Sequence, residues 1–139
     1  MKNIDNAVPM LRMAWKEFKP WYENLFLGRE VVLGSVQRTP VEQLINFCQG
    51  RLPIEHVRIL AGKRVEDKII TWKDGFIMKS KHNSMPLSEA IDIWIKINGE
   101  YTWDEKMFYP IGKFIQEKYK HILRWGGNFK DYCHIEMIK

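Results

Sequence analysis

The sequence predicts an α+β fold: one domain with a small antiparallel sheet flanked by helices. Two patterns carry that expectation. Capped amphipathic helical stretches occupy the first half and the 102–119 region, and short strand-like runs joined by hairpin turns dominate the rest. The chain has 139 residues, of which 45% are apolar, enough for one sizeable core. We expect one domain over 1–139, with an N-terminal helical part at 1–30 and a core at 31–139.

Residues 7–27 place Met10, Leu11, Ala14, Trp15, Phe18, Trp21 and Leu25 at three- and four-residue steps. This predicts one or two amphipathic helices, broken at Lys19-Pro20 because the residue before proline is pushed out of the helical region. The aromatic stripe reads as core packing rather than a ligand platform. Val31–Val36 is a β-branched run and predicts a strand. Thr39-Pro40-Val41-Glu42 then reads as a helix start: Thr39 caps, Pro40 suits the first turn and Glu42 closes a capping box. That helix should run to Gln49 and stop at Gly50, leaving Arg38 at a strand-to-helix corner. Residues 50–66 show no period and read as a basic surface excursion.

Lys73-Asp74-Gly75 between Lys68–Trp72 and Phe76–Lys79 signals a hairpin that delivers Ser80-Lys81-His82 at a strand end. Ala90–Ile97 reads as a strand ending in an Asn98-Gly99 turn. Thr102-Trp103-Asp104-Glu105 reads as a second capping box, opening a helix to Tyr119 with a kink at Pro110. Ile122–Trp125 and His134–Ile138 complete the strands, with a turn at Gly126-Gly127. On the last strand His134 and Glu136 share one face, and Ile135 and Met137 the other.

Composition narrows the function classes. A net charge of +5 points to an anionic partner or to simple solubility. No nucleic-acid motif and no glycine-rich phosphate loop is present, so no nucleic-acid partner is expected. No apolar run approaches the ~20 residues of a membrane span. The first residues hold no uninterrupted apolar stretch of the signal-peptide kind. Cytoplasmic synthesis is therefore expected, as is a monomer. The two cysteines, Cys48 and Cys133, make neither a disulfide framework nor a Cys-x-x-Cys zinc pattern. Cys133 as a nucleophile is poorly served, because its neighbour His134 points to the opposite face of a strand.

One constellation carries chemistry. His82, Asp92 and His134 fall on neighbouring strands roughly 5 Å apart and can converge on one ion. Two imidazoles and a carboxylate leave a tetrahedral zinc one open position for water. Asp131, three residues before His134, can face that position as a general base. Glu136 can orient His134 from behind, and Arg38 can meet an oxyanion or a substrate carboxylate. Ser80 stands beside His82 as a supporting residue.

These residues also resemble a family. Arg38-Thr39-Pro40-Val41-Glu42-Gln43, Lys68-Ile69-Ile70-Thr71, Ser80-Lys81-His82, Ala90-Ile91-Asp92, Arg124-Trp125-Gly126-Gly127 and Asp131-Tyr132-Cys133-His134-Ile135-Glu136 occur in the order seen in zinc D-alanyl-D-alanine carboxypeptidases and L-alanyl-D-glutamate endopeptidases. The likeness is greatest to short phage-lysin members and runs from about Val32 to the end. It implies the hedgehog/DD-peptidase-like fold, a zinc cofactor held by His82, Asp92 and His134, and Asp131 as base. Arg38 would bind substrate or oxyanion, with Arg64 a rival. The substrate implied is the stem peptide of bacterial peptidoglycan, reached after release of a cytoplasmic product. Alternatives on the same fold are a carboxypeptidase removing terminal D-alanine and a wall-binding or virion protein without catalysis.

Overall fold

The structure is a computed structural model that describes residues 2–62, 69, 71, 73 and 80–138. These residues form a single small α+β domain with four α-helices and a five-stranded antiparallel sheet. The hairpin expected over Lys68–Lys79 and Arg64 lie outside the described residues, apart from Ile69, Thr71 and Lys73.

Helix α1 runs unbroken over Pro9–Leu25. The break expected at Lys19-Pro20 is absent. Pro20 removes one backbone donor on the exposed side, while Leu11, Ala14, Phe18 and Tyr22 stay buried on the other and hold the helix to the sheet. The stripe is core packing in part: Leu11, Ala14 and Phe18 are buried and Met10 and Trp15 pack against them, whereas Trp21 and Leu25 are exposed, Trp21 lying against Phe114.

Strand β1 spans Arg29–Ser35, and helix α2 spans Pro40–Cys48. Both halves of the Thr39/Glu42 capping box are made, with Thr39 accepting from the Glu42 amide at 3.1 Å. Residues 50–66 are not simply an irregular excursion, because α3 occupies Ile54–Ala61. Its eight residues are too few for a helical period to stand out, and Pro53 is its N-cap without a side-chain cap bond.

Strand β2 covers Ala90–Ile97 and is the centre of the sheet, whose order is β1-β2-β5-β4. The short β3, Glu100–Thr102, folds back on β2 through Asn98 and Gly99, which both take positive φ. The second long helix starts later than its sequence signals. A 3-10 turn at Glu105–Met107, capped by Asp104, precedes α4 at Tyr109–Lys118. Pro110 thus falls in the first turn, where its missing N–H is harmless, and no kink is needed. Strands β4, Leu123–Trp125, and β5, His134–Met137, finish the sheet. Ile91, Ile93, Ile95 and Ile135 are fully buried against α1 and α4 residues such as Phe18, Ile111 and Ile115. Among the described residues no helix is long and apolar enough to cross a membrane.

A candidate metal site on the central strands

The sheet's polar face gathers the candidate residues. Asp92 on β2 stands directly opposite His134 on β5, and opposite Ser35 across a bulge in β1. His82 arrives differently from expectation: it sits on a 3-10 turn, Lys81–Asn83. Ser80 makes that turn. Its hydroxyl accepts from the His82 amide at 3.2 Å, and Asn83 Oδ1 accepts from the Ser80 amide at 3.0 Å. Asn83 Nδ2 then donates to the Arg38 carbonyl at 2.9 Å, locking the turn to the corner before α2.

Each imidazole is oriented by its outer nitrogen. His82 Nδ1 lies 2.6 Å from the Val36 carbonyl, which can only accept, so Nδ1 carries the proton and Nε2 presents a lone pair. That Nε2 is buried, makes no hydrogen bond among the described residues, and points at Asp92 Oδ1 3.3 Å away. His134 Nε2 donates to Glu136 Oε2 at 2.9 Å, which turns Nδ1 toward Asp92 Oδ1 at 3.1 Å. Two lone pairs therefore meet one carboxylate oxygen. This is unfavourable unless a proton or a cation lies among them. One ligand atom from each of His82, Asp92 and His134 lies within 4.8 Å of the others, so the group can hold a metal ion. Ligand atoms about 2.0–2.2 Å from a tetrahedral ion stand about 3.4 Å apart, close to the 3.3 and 3.1 Å that separate the two imidazole nitrogens from Asp92 Oδ1.

Electrostatics supplies the proton: His134 stays charged through neutral pH, so Nδ1 donates to Asp92 unless a metal ion displaces that proton. Burial alone would raise the Asp92 pKa, but the His82 and His134 imidazoles and the Arg38 guanidinium together hold it well below the usual carboxylate range. Burial would lower His134, yet its bonds to Asp92 and Glu136 outweigh that and lift it to about 9. Glu136 also feels burial, but His134, Arg124 and Lys81 bring it down to about 2. Arg124 and Lys81 both pair with Glu136, fixing the carboxylate that fixes His134.

Asp131 lies at the rim, half exposed, with Oδ2 4.0 Å from His134 Nδ1. Burial and the neighbouring Asp92 charge raise its pKa above the ordinary value. Gly126 makes this placement possible: a Cβ there would come within 2.3 Å of the Asp131 carbonyl and 3.0 Å of His134 Cβ. Cys133 lies beside Asp131 with Sγ 3.4 Å from Oδ1, and burial with the Asp92 and Asp131 charges pushes its thiol pKa up. A thiolate nucleophile is disfavoured there.

Arg38 is drawn inward. Its Nη2 pairs with Asp92 Oδ2 at 2.8 Å, its Nη1 donates to Gln43 Oε1 at 3.1 Å and its Nε to Ser35 Oγ at 3.1 Å. Fully buried Gln43 donates in turn to Thr71 and to the Lys73 carbonyl. The site opens into a cavity of about 680 Å³ whose wall mixes Arg38, Lys73, Arg124 and Lys130 with Asp92, Asp131 and Glu136, Arg38 being paired with Asp92 and Arg124 with Glu136. Sequence reading missed Asn83, Ser88 and the Val36 carbonyl. Ser88 Oγ shares that carbonyl with His82, at 2.8 Å, and nothing in its local sequence signals it.

What fold and site define is a small α+β domain with a buried His–Asp–His group able to hold a metal ion. Comparison with protein-family models and with curated proteins returns no match.

Proposed function

We propose that this protein is a zinc peptidase that hydrolyses a peptide bond in the stem peptides of bacterial peptidoglycan. The specific reading is an L-alanyl-D-glutamate endopeptidase acting as a phage endolysin, made in the cytoplasm and acting on the wall after release. One observation carries the catalytic part. The lone pairs of His82 Nε2 and His134 Nδ1 converge with Asp92 Oδ1, and a carboxyl group of raised pKa, Asp131, faces the same cleft. The ordered motifs from Arg38 to Glu136 support the choice of substrate.

A donor set of two neutral imidazoles and one carboxylate suits zinc and leaves one position open. His82, Asp92 and His134 would hold the zinc, which would supply Lewis acidity toward water and a substrate carbonyl. The protein's own residues do the rest. Asp131 takes a proton from the attacking water and delivers it to the departing amine. A pKa raised by burial and by Asp92 makes it a better base than an ordinary aspartate. Glu136 keeps the proton of His134 on Nε2, and the Val36 carbonyl keeps that of His82 on Nδ1. Arg38 holds Asp92 in place and, lining the cleft, meets negative charge that develops on substrate. Lys73 and Lys130 offer further cations for a substrate carboxylate, while Arg124 is engaged by Glu136.

The test is digestion of purified peptidoglycan with and without a chelator, reading new chain ends by mass spectrometry. Chelator-sensitive ends after L-alanine are the expected result. Loss of terminal D-alanine alone would make the protein a carboxypeptidase. No cleavage by zinc-loaded protein would overturn the peptidase reading in favour of a wall-binding protein without catalysis.

A further inference from the structure

Asp131, Tyr132 and Cys133 are each anchored through the main chain. The Asp131 amide donates to the Gly126 carbonyl at 2.9 Å, and the Asp131 carbonyl accepts from the His134 amide at 3.1 Å. Trp125 Nε1 donates to the Tyr132 carbonyl at 2.7 Å. The Cys133 carbonyl accepts from the Ile93 amide at 2.9 Å, tying this residue to β2 one position beyond Asp92. These bonds fix the backbone at the rim of the cleft but not the Asp131 carboxylate. That group is half exposed, and an aspartate at a surface turns readily about its side-chain torsions. A general base needs the opposite, since it must stay within about 3 Å of the proton it takes.

One side chain restrains the carboxylate. Cys133 Sγ lies 3.4 Å from Asp131 Oδ1, and among the described residues no other side chain hydrogen-bonds to it. An ordinary cysteine thiol is protonated at neutral pH and an ionised carboxylate can only accept, so the S–H is the donor. Cys133 packs against the hydrophobic core, so its thiol holds the carboxylate rather than following it. With Oδ1 engaged, Oδ2 is the oxygen turned toward the ligand group, 4.0 Å from His134 Nδ1.

We propose that Cys133 is a positioning residue for Asp131: its S–H holds Oδ1, so that Oδ2 stays aimed into the cleft beside His134. The proposal rests on the reading of Asp131 as the general base. It gives the thiol a task that needs neither a thiolate nor a disulfide. A purely structural role for Cys133 makes a different prediction. Packing depends on the size of the side chain, so alanine and serine, both smaller than cysteine, would then behave alike. Positioning depends on the donor, which serine keeps and alanine lacks.

The experiment compares the full-length chain with Cys133→Ala and Cys133→Ser. It reads kcat and KM on a soluble stem peptide, zinc affinity by competition with a chromogenic chelator, and the infrared S–H stretching band. Cys133→Ala should lower kcat about three- to tenfold, the scale of one hydrogen bond, with KM and zinc affinity unchanged. Cys133→Ser should bring kcat back to within about twofold of the original, because its hydroxyl donates in place of the thiol. The band that disappears in Cys133→Ser belongs to this thiol, and it should move to higher frequency in Asp131→Ala, where the acceptor is gone. Full kcat in Cys133→Ala overturns the proposal, as does equal loss in both Cys133 variants. So does an S–H band indifferent to Asp131→Ala. The band is read without ion or substrate, so the two readings fail separately. A shifted band in a zinc-loaded protein that cleaves nothing sinks the peptidase reading alone, and turnover that ignores Cys133→Ala sinks this one alone.

Discussion

His134 holds Asp92 with one nitrogen and Glu136 with the other, so its replacement removes a ligand and a link in the buried charge network. His134→Ala is expected to lose both metal and activity, whereas Asp131→Ala should keep bound metal and lose turnover. Metal content by mass spectrometry beside peptide hydrolysis separates them, and turnover retained by the Asp131 variant would remove it as the base. Glu136→Gln should leave the ligands in place but weaken metal binding about 10–100-fold, because the neutral amide no longer polarises the imidazole. A competition titration with a chromogenic chelator reads that change. Away from the site, Tyr119 donates to Glu17 at 2.7 Å, and burial together with that carboxylate pushes its pKa up to about 12. The unfolded tyrosine releases its proton near pH 10, so between pH 10 and 12 the folded state holds more protons and stability falls as pH rises. Tyr119→Phe should flatten that alkaline loss in denaturant titrations; an unchanged slope would assign it to other groups.

Among the elements, those with strong local chemistry were legible in the sequence and those set by packing were not. The Thr39/Glu42 box, the Asn98-Gly99 turn and the apolar alternation of Ala90–Ile97 each act within a few residues, and each element formed there. α3 escaped notice because eight residues without a strong cap carry little periodic signal. The second capping signal misled by position: Asp104 caps only a 3-10 turn, and Phe108 and Pro110 shift the α-helix start to Tyr109. The candidate metal group was legible in outline as residue types, although His82 comes from a 3-10 turn rather than from the expected strand end. Its supports were not, since Asn83, Ser88 and the Val36 carbonyl act across 45, 52 and 46 residues of chain. Pro20 offers the clearest test at this level. It interrupts the hydrogen-bond ladder of an otherwise intact helix while lying on the exposed side, so Pro20→Ala should stabilise the protein by about 1–3 kcal/mol in urea unfolding. A destabilised variant would mean that the proline itself is needed to seat α1 on the sheet.

Considered whole, the protein combines a basic surface with a polar cleft cut into the central strands. If the net charge of +5 holds it on anionic wall polymers, lysis of whole cells should fall steeply between low and high salt while hydrolysis of a soluble peptide does not. Equal salt sensitivity in the two assays would place the effect in the cleft instead. Zinc should also raise the melting temperature, since ligands from three separate segments meet only in the folded state.

The position of β5 has a kinetic consequence. The strand that comes latest in the described chain is inserted between β2 and β4, so two halves of the sheet stay unjoined until it docks. The same docking sets His134 across from Asp92, which makes closure of the sheet and completion of the ligand set one event. Such long-range pairing is slow compared with helix formation. On refolding from denaturant, helical signal should therefore return ahead of metal-binding capacity, and an intermediate with a half-built sheet would be enzymatically silent.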